Sequence, residues 1–323
     1  MNGSYYVIGI DMGGTNTALG VVDARGRILY RGKISTTDYS TGEEYAEALG
    51  NAINNLIVDD EVRNKIKGIG MGVPNGNMND GTIEKAANIP WAKTVNVPIA
   101  AMITAKTGFP CKLTNDANAA ALGEMIYGSA KGMKDFIVIT LGTGLGSGIV
   151  SNGQLVVGHD GFAGELGHVT MVRHNGRLCG CGRTGCLETY ASATGVAKTA
   201  REFLDLNPEK NSVLREIIYR PITSKDVFEA AKKGDELAID VFNFTGKILG
   251  EALCDFVTYS SPQAIILFGG LAHSGDFLLK PLQEAMDNHI LNVFKGKTRI
   301  IISQLNDAEA AILGASALAW EEQ

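Results

Sequence analysis

No apolar run in the chain approaches the roughly 20 residues that a membrane-spanning helix needs. The longest, such as Phe136–Leu141, have the length of a strand. Basic runs are missing as well. The 29 lysines and arginines are scattered among 35 acidic residues, for a formal net charge of −6. A nucleic-acid backbone is bound through clustered positive charge, so nucleic acid is not expected as a partner. A single nucleotide is not excluded, because backbone N–H groups and one or two side chains suffice to hold it. Between Met1 and the first strand-like run, Tyr5–Ile10, there is no room for a signal peptide. Cysteine is scarce, with five in 323 residues. These absences point to a soluble cytoplasmic protein with no membrane partner.

Three of the five cysteines lie together. The segment Gly164-Glu165-Leu166-Gly167-His168 is followed by Cys179-Gly180-Cys181-Gly182-Arg183-Thr184-Gly185-Cys186-Leu187-Glu188. Thiols clustered in this way suit a metal in a reducing compartment better than disulfides. His168, Cys179, Cys181 and Cys186 make up the Cys3His ligand set of a structural zinc site. Zinc needs no more than these four. Glu165 and Glu188, which bracket the site, are left for another use.

At 323 residues the chain exceeds the size at which one core stops growing, which predicts two domains. Strand-length runs alternate with helical patterns along its whole length, the signature of an α/β architecture with partly parallel sheets. Tyr5–Ile10, Ala18–Val22 and Ile28–Lys33 read as consecutive strands, and Thr41-Gly42-Glu43-Glu44 as the capped start of a helix running towards Val58. A single helix is expected over Tyr190–Leu204. One segment recurs: Asn115-Asp116-Ala117-Asn118-Ala119-Ala120-Ala121-Leu122-Gly123 returns as Asn306-Asp307-Ala308-Glu309-Ala310-Ala311-Ile312-Leu313-Gly314, with seven of nine positions identical. Each copy follows a strand and opens a helix. Helix caps and alanine-rich helices alone would account for it. So would a duplicated domain, with two similar halves facing each other across a cleft.

Glycine-rich turns after strands supply the other candidates. Asp11-Met12-Gly13-Gly14-Thr15 allows a tight hairpin whose N–H groups approach phosphate oxygens, with the Thr15 hydroxyl as a further donor and Asp11 placed for Mg²⁺. A hairpin turn without function reads the same way. A second such turn stands at Gly142-Thr143-Gly144. Asp116 is either a helix-start residue or a general base that takes a proton from a substrate hydroxyl. Spacing alone does not choose between it and Asp307. The loop Asn88-Ile89-Pro90-Trp91 suits either packing or sugar recognition.

Together these motifs resemble the ROK family of repressors, uncharacterised members and sugar kinases. The resemblance runs the full length, from Asp11-x-Gly13-Gly14-Thr15 through Asn88-x-Pro90-Trp91, Asn115-Asp116 and Gly142–Gly148 to the Glu165–Glu188 run. It implies a duplicated actin-like (hexokinase or ribonuclease H-like) two-domain fold with an interdomain cleft. The expected domains are residues 1–116 plus 307–323, and a larger one of 117–306 carrying the zinc loop. The implied activity is ATP-dependent phosphorylation of a hexose at its 6-hydroxyl, most naturally glucose. Another sugar (N-acetylmannosamine, mannose, fructose or allose) or a non-enzymatic sugar-sensing regulator is the alternative. On this resemblance Asp116 is the catalytic base, and Asn88, Asn115, Glu165, His168 and Glu188 bind the sugar. Asp11, Gly13, Gly14, Thr15, Thr143 and Gly144 serve phosphate and Mg²⁺, and Gly269 and Gly270 approach the adenosine. The implied cofactors are ATP, Mg²⁺ and a structural Zn²⁺, and the implied assembly is a homodimer. One feature departs from the family's Gly-x-Pro-Gly loop: here the chain reads Gly72-Val73-Pro74-Asn75-Gly76.

Overall fold

The computed structural model describes residues 5–57 and 59–320, with backbone alone at 307 and 308. Val58, the expected limits at 1 and 323, and the Asp307 side chain lie outside the described residues. The strands are β1 (Tyr6–Met12), β2 (Asn16–Asp23), β3 (Ile28–Ser35), β4 (Ile66–Gly72), β5 (Gly76–Asn77), β6 (Thr82–Glu84), β7 (Asn96–Val97), β8 (Cys111–Thr114), β9 (Phe136–Leu141), β10 (Leu145–Ser151), β11 (Gln154–Leu155), β12 (Ala264–Phe268) and β13 (Arg299–Ile302). The helices are α1 (Gly42–Leu56), α2 (Asp60–Arg63), α3 (Ile99–Thr107), α4 (Asp116–Ile126), α5 (Glu188–Ala191), α6 (Ala193–Leu206), α7 (Ser224–Lys232), α8 (Glu236–Ser260), α9 (Asp276–His289) and α10 (Asp307–Ala317).

Two five-stranded sheets have the same layout. The first runs β3-β2-β1-β4-β8 and the second β11-β10-β9-β12-β13. In the first, β1 pairs antiparallel with β2 and β2 with β3, whereas β1, β4 and β8 run parallel. In the second, β9, β12 and β13 run parallel and β10 pairs antiparallel with β11. The central strands are buried on both faces, so they read as continuous apolar runs rather than alternating ones. The duplication suggested by the nine-residue repeat is therefore present in the strand order. Each copy opens the helix that follows the fifth strand of its sheet. A small third sheet, β5-β6-β7, is built from strands too short to carry a pattern.

The chain divides into two compact units, one of 1–133, 148–164 and 304–323, the other of 134–147 and 165–303. The line expected at 116/117 runs elsewhere, because α4 packs along α10 within the first unit. A Cβ on Gly123 would lie 2.8 Å from the Cα of Gly314, so the ninth residues of the two repeat copies meet backbone to backbone.

Strand alternation explains the rest of the first unit. Ile8 and Ile10 point to one face, where they bury with Tyr45, Leu49 and Ile53 of α1 and Ile99 and Ile103 of α3. Val7 and Gly9 point to the other face, beneath α10. A Cβ at Gly9 would lie 2.0 Å from the carbonyl oxygen of Ile312, and one at Gly70 of β4 would lie 2.0 Å from that of Ala315. Glycine at both positions lets the helix backbone rest directly on the sheet.

In the second unit the expected helix over Tyr190–Leu204 is two helices. Ser192 interrupts it in an extended conformation, and its hydroxyl accepts from the Gly195 N–H to cap α6. Among the described residues no helix is long and apolar enough to cross a membrane.

Gly70→Ala is expected to lower stability by about 1–3 kcal/mol, the usual scale of overpacking, because the nearest atom opposite is the backbone carbonyl of Ala315, with the Leu318 Cβ behind it. A shift of the urea midpoint to lower concentration measures it; an unchanged midpoint would show that α10 can retreat.

Candidate functional site

The parallel strands β1, β4 and β8 bring their carboxyl ends together, the place where ligands sit on open α/β sheets. Asp11 lies near the end of β1. The turn that follows is closed by a Gly13 N–H bond of 2.9 Å to the Asn16 carbonyl, and Thr15 and Asn16 are exposed. After β8, Asn115 caps α4 by accepting at 2.7 Å from the Asn118 N–H, which sets Asp116 at the first helical position. Asn88 lies against this turn: a Cβ at Gly14 would be 3.2 Å from the Asn88 Nδ2. Asp11, Gly13, Gly14, Thr15, Asn88, Asn115 and Asp116 thus gather at one edge of one sheet.

The structure decides the role of Trp91. It is 6% exposed, stacks on Tyr45 with ring centroids 4.7 Å apart and donates its indole N–H to the Thr36 carbonyl at 2.9 Å. Thr36 in turn donates its backbone N–H to the Thr15 carbonyl, and the Thr17 hydroxyl bonds those of Thr36 and Tyr45 at 2.9 and 2.8 Å. Trp91 is packing beneath the turn. The departure at Asn75 is also resolved. Its φ of 51° lies in the left-handed region that favours glycine, which Asn tolerates better than most residues. Its amide donates to the Glu84 carbonyl at 3.0 Å.

Burial raises the carboxyl pKa of Asp11 to about 6, with the charge of Asp116 as the second cause. Asp116 is raised as well, chiefly by the protein packed around it, although its surface reaches solvent; the N–H of Ala117 acts in the opposite direction. Among the described residues no lysine or arginine contributes to either shift.

In the second unit the ends of β9 and β12 carry the other two glycine segments. The Leu271 N–H reaches the Leu141 carbonyl at 3.2 Å, and Gly269, at φ 100°, passes so close that a Cβ would lie 2.9 Å from that oxygen. Gly269 and Leu271 thus lie against Leu141, the residue that precedes the Gly142–Gly144 turn. The sulfur cluster is assembled too. The donor atoms of His168, Cys179, Cys181 and Cys186 lie within 4.8 Å of one another, with 3.7 Å between the Cys181 and Cys186 sulfurs and 3.6 Å from Cys179 Sγ to His168 Nδ1. Those edges match a tetrahedron with bonds of about 2.1–2.3 Å, so the residues fit a four-coordinate zinc. The other ring nitrogen of His168 stands 4.0 Å from Glu165.

Sequence reasoning missed Arg177. Its side chain is 7% exposed, and Nε donates to both Glu202 oxygens at 3.1 Å. It also donates to the Thr189 carbonyl at 2.7 Å and to the Thr199 hydroxyl at 2.8 Å, and lies over the Tyr190 ring. An arginine two residues before the first thiol is the only trace of this in the sequence.

Two sheets of one strand order, with tight turns at their carboxyl ends, define an α/β protein of the duplicated, actin-like class. The chain belongs to the ROK family, whose profile matches residues 7–322. It is 34% identical to a glucokinase of Halalkalibacterium halodurans over 100% of this chain and 97% of that one. A glucokinase of Streptomyces coelicolor is 36% identical over 97% of each. The crystal structure of a ROK family glucokinase from Streptomyces griseus, in complex with glucose and AMPPNP, superposes with a TM-score of 0.77. It shares 33% identity and covers 97% of this chain and 98% of its own.

The carboxyl pair predicts a pH response. A folded-state pKa raised above the ordinary carboxylate value binds the proton more tightly than the unfolded chain does, so this stabilisation is present below about pH 4 and is lost as pH rises through about 6. Carbon-detected NMR titration should find the Asp11 midpoint near 6. In Asp116→Asn it should fall yet stay above the ordinary value, because burial is the larger cause. A midpoint that does not move would disprove the coupling.

Proposed function

We propose that the protein is an ATP-dependent hexokinase that phosphorylates glucose at its 6-hydroxyl, with Asp116 as general base. The observation that carries this reading is Asp116 itself: a carboxylate with raised basicity at the first position of α4, where three parallel strands end. Similarity over the full chain to glucokinases supports the substrate.

Asp116 takes the proton of the sugar 6-hydroxyl as that oxygen attacks the γ-phosphorus. The O6–P bond forms, the bond from phosphorus to the β-phosphate oxygen breaks, and ADP leaves. Asn88, Asn115, Glu165, His168 and Glu188 hold the sugar. Amide and carboxylate oxygens each bridge neighbouring hydroxyls, so an uncharged ligand is selected by hydrogen bonds it would otherwise leave unpaired. The N–H groups and hydroxyls of Gly13, Gly14, Thr15, Thr143 and Gly144 orient the phosphates, and Gly269 and Gly270 leave room for the adenosine. Asp11 would hold Mg²⁺, which when bound offsets charge on the phosphoryl group. A zinc held by these four donors would have no open position, so its role would be structural: it would fix His168 through Nδ1 and leave the other nitrogen for the sugar. A cytoplasmic location suits thiols that must stay reduced.

The left-handed Asn75 keeps the backbone conformation that glycine would give, so the departure from the Gly-x-Pro-Gly loop does not count against the glucose reading. A coupled ADP-release assay over a hexose panel, with ATP or polyphosphate as donor, tests the reading. The expected result is the highest kcat/KM for glucose with ATP, and a kcat lowered about 10²–10⁴-fold in Asp116→Asn with glucose binding nearly intact. Full turnover in that variant would remove Asp116 from the chemistry.

Chelation should lower Tm and weaken glucose binding measured calorimetrically, because the orientation of His168 depends on the cluster. Unchanged melting and titration curves would show that the four donors hold no functional metal.

A further inference from the structure

Glu188 does not face outward alone. Its Oε2 accepts at 3.0 Å from the N–H of Leu145, the first residue of β10 and the last of the glycine turn. Its Oε1 lies 3.6 Å from Cys179 Sγ, within the thiol cluster. The approach depends on glycine at 144, where a Cβ would come within 2.5 Å of Oε2. The residues after Glu188 continue the contact. Ala193 donates its N–H to the Gly142 carbonyl at 2.9 Å, and the Thr194 hydroxyl donates to the Thr143 carbonyl at 2.8 Å. Segment 188–194 thus grips the turn at residues 142, 143 and 145. Its other side is tied to the thiol loop: Leu187 donates its N–H to the Val169 carbonyl, and Arg177 donates to the Thr189 carbonyl.

We propose that Glu188, besides facing the sugar, is a positioning residue for the nucleotide. Its carboxylate ties the thiol loop to the Gly142–Leu145 turn and holds that turn in the shape that receives phosphate. A carboxylate has about four lone-pair sites, so one N–H bond leaves acceptors for a hydroxyl. Loss of the tie frees the turn, and nucleotide binding then includes the cost of ordering it again. The inference rests on the reading that this turn takes the phosphates of ATP.

Isothermal titration with Mg-AMPPNP, in the absence of sugar, tests it on the metal-loaded wild type, Glu188→Gln, Glu188→Ala and Gly144→Ala, with zinc content measured for each. Glu188→Ala and Gly144→Ala are each expected to raise Kd about tenfold, the scale of one charge-assisted hydrogen bond. Glu188→Gln should stay within about threefold of wild type, since its amide oxygen still accepts from Leu145. The double variant Glu188→Ala/Gly144→Ala should bind no worse than Glu188→Ala, because both changes break one contact. Wild-type affinity in Glu188→Ala with zinc retained, or in Gly144→Ala if the first does not fold, overturns the proposal. So does a Glu188→Gln as weak as the alanine variant. A wild type that takes up no AMPPNP at all would instead overturn the kinase reading on which the proposal stands.

Discussion

Close backbone approach is the constraint on which the first unit depends. Helix α10 lies on the sheet at Gly9 and Gly70, and α4 lies on α10 where Gly123 meets Gly314. A side chain at any of these points would push a helix outward by the width of a methyl group or more. Interiors are close-packed, so such a push is transmitted rather than absorbed. Asp116 stands at the start of α4, and its position relative to Asp11 on β1 is therefore set in part by packing at glycines that carry no chemistry themselves. The duplicated nine-residue segment is functional in only one copy's cap on the proposed reading, yet both copies are needed for the helices to fit together.

The two carboxylates are placed where neither is comfortable. The protein packed around them raises both, the charge of Asp116 raises Asp11 further, and no lysine or arginine among the described residues contributes to either shift. A purely structural site would set a cation beside such groups, since like charges close together oppose each other's ionisation. Leaving them unpaired makes the edge of the sheet receptive to whatever brings positive charge or a proton, which is what a metal–nucleotide and a sugar hydroxyl supply. Perturbed carboxyls of this kind concentrate at functional sites for that reason. The hydrogen-bonded group of Thr17, Thr36, Tyr45 and Trp91 beneath the turn is fully engaged with itself and with the backbone, so it steadies the turn without neutralising the pair.

Much of this was legible in the sequence, and the parts that were not share a cause. Long buried strands, the helix starts at Thr41 and Asn115, and the thiol spacing are local patterns, and each appears where the residues predict it. The strand order repeats as the nine-residue segment suggested. What escaped depends on distant partners. Strands of two or three residues, such as Gly76–Asn77 and Asn96–Val97, show no period. The place of α4 in the first unit follows from its contact with α10, nearly 190 residues away in sequence. Trp91 reads equally as a sugar platform or a packing residue until Tyr45 and Thr36 are seen beside it. At Asn75 the sequence shows only a departure, and the backbone angle shows that the residue adopts the left-handed conformation glycine would take.

The thiol loop divides its work between an ion site and an ion pair. From residue 169 to 187 it contains no regular strand or helix, only the bridges of Thr170 with Cys186 and Leu178 with Thr184 and single backbone bonds such as Met171 N–H to the Gly185 carbonyl and Cys179 N–H to the Arg183 carbonyl. Arg177 anchors its base by spending its donors on Glu202, Thr189 and Thr199 under the Tyr190 ring. A buried guanidinium with every direction satisfied resists removal strongly, since losing its partners would strand the charge. The tip, Cys181 to Thr184, is exposed; Arg183 donates to the Thr170 hydroxyl at 2.9 Å and its carbonyl accepts from the Cys179 N–H at 2.8 Å, beside the Cys181–Cys186 sulfur pair. Glu188 touches both the Cys179 sulfur and the Leu145 N–H, and His168 belongs to the sulfur cluster. The two flanking glutamates thus have different neighbours: Glu165 stands 4.0 Å from the His168 ring, whereas Glu188 accepts from the Leu145 N–H and adjoins Thr189, to which Arg177 donates.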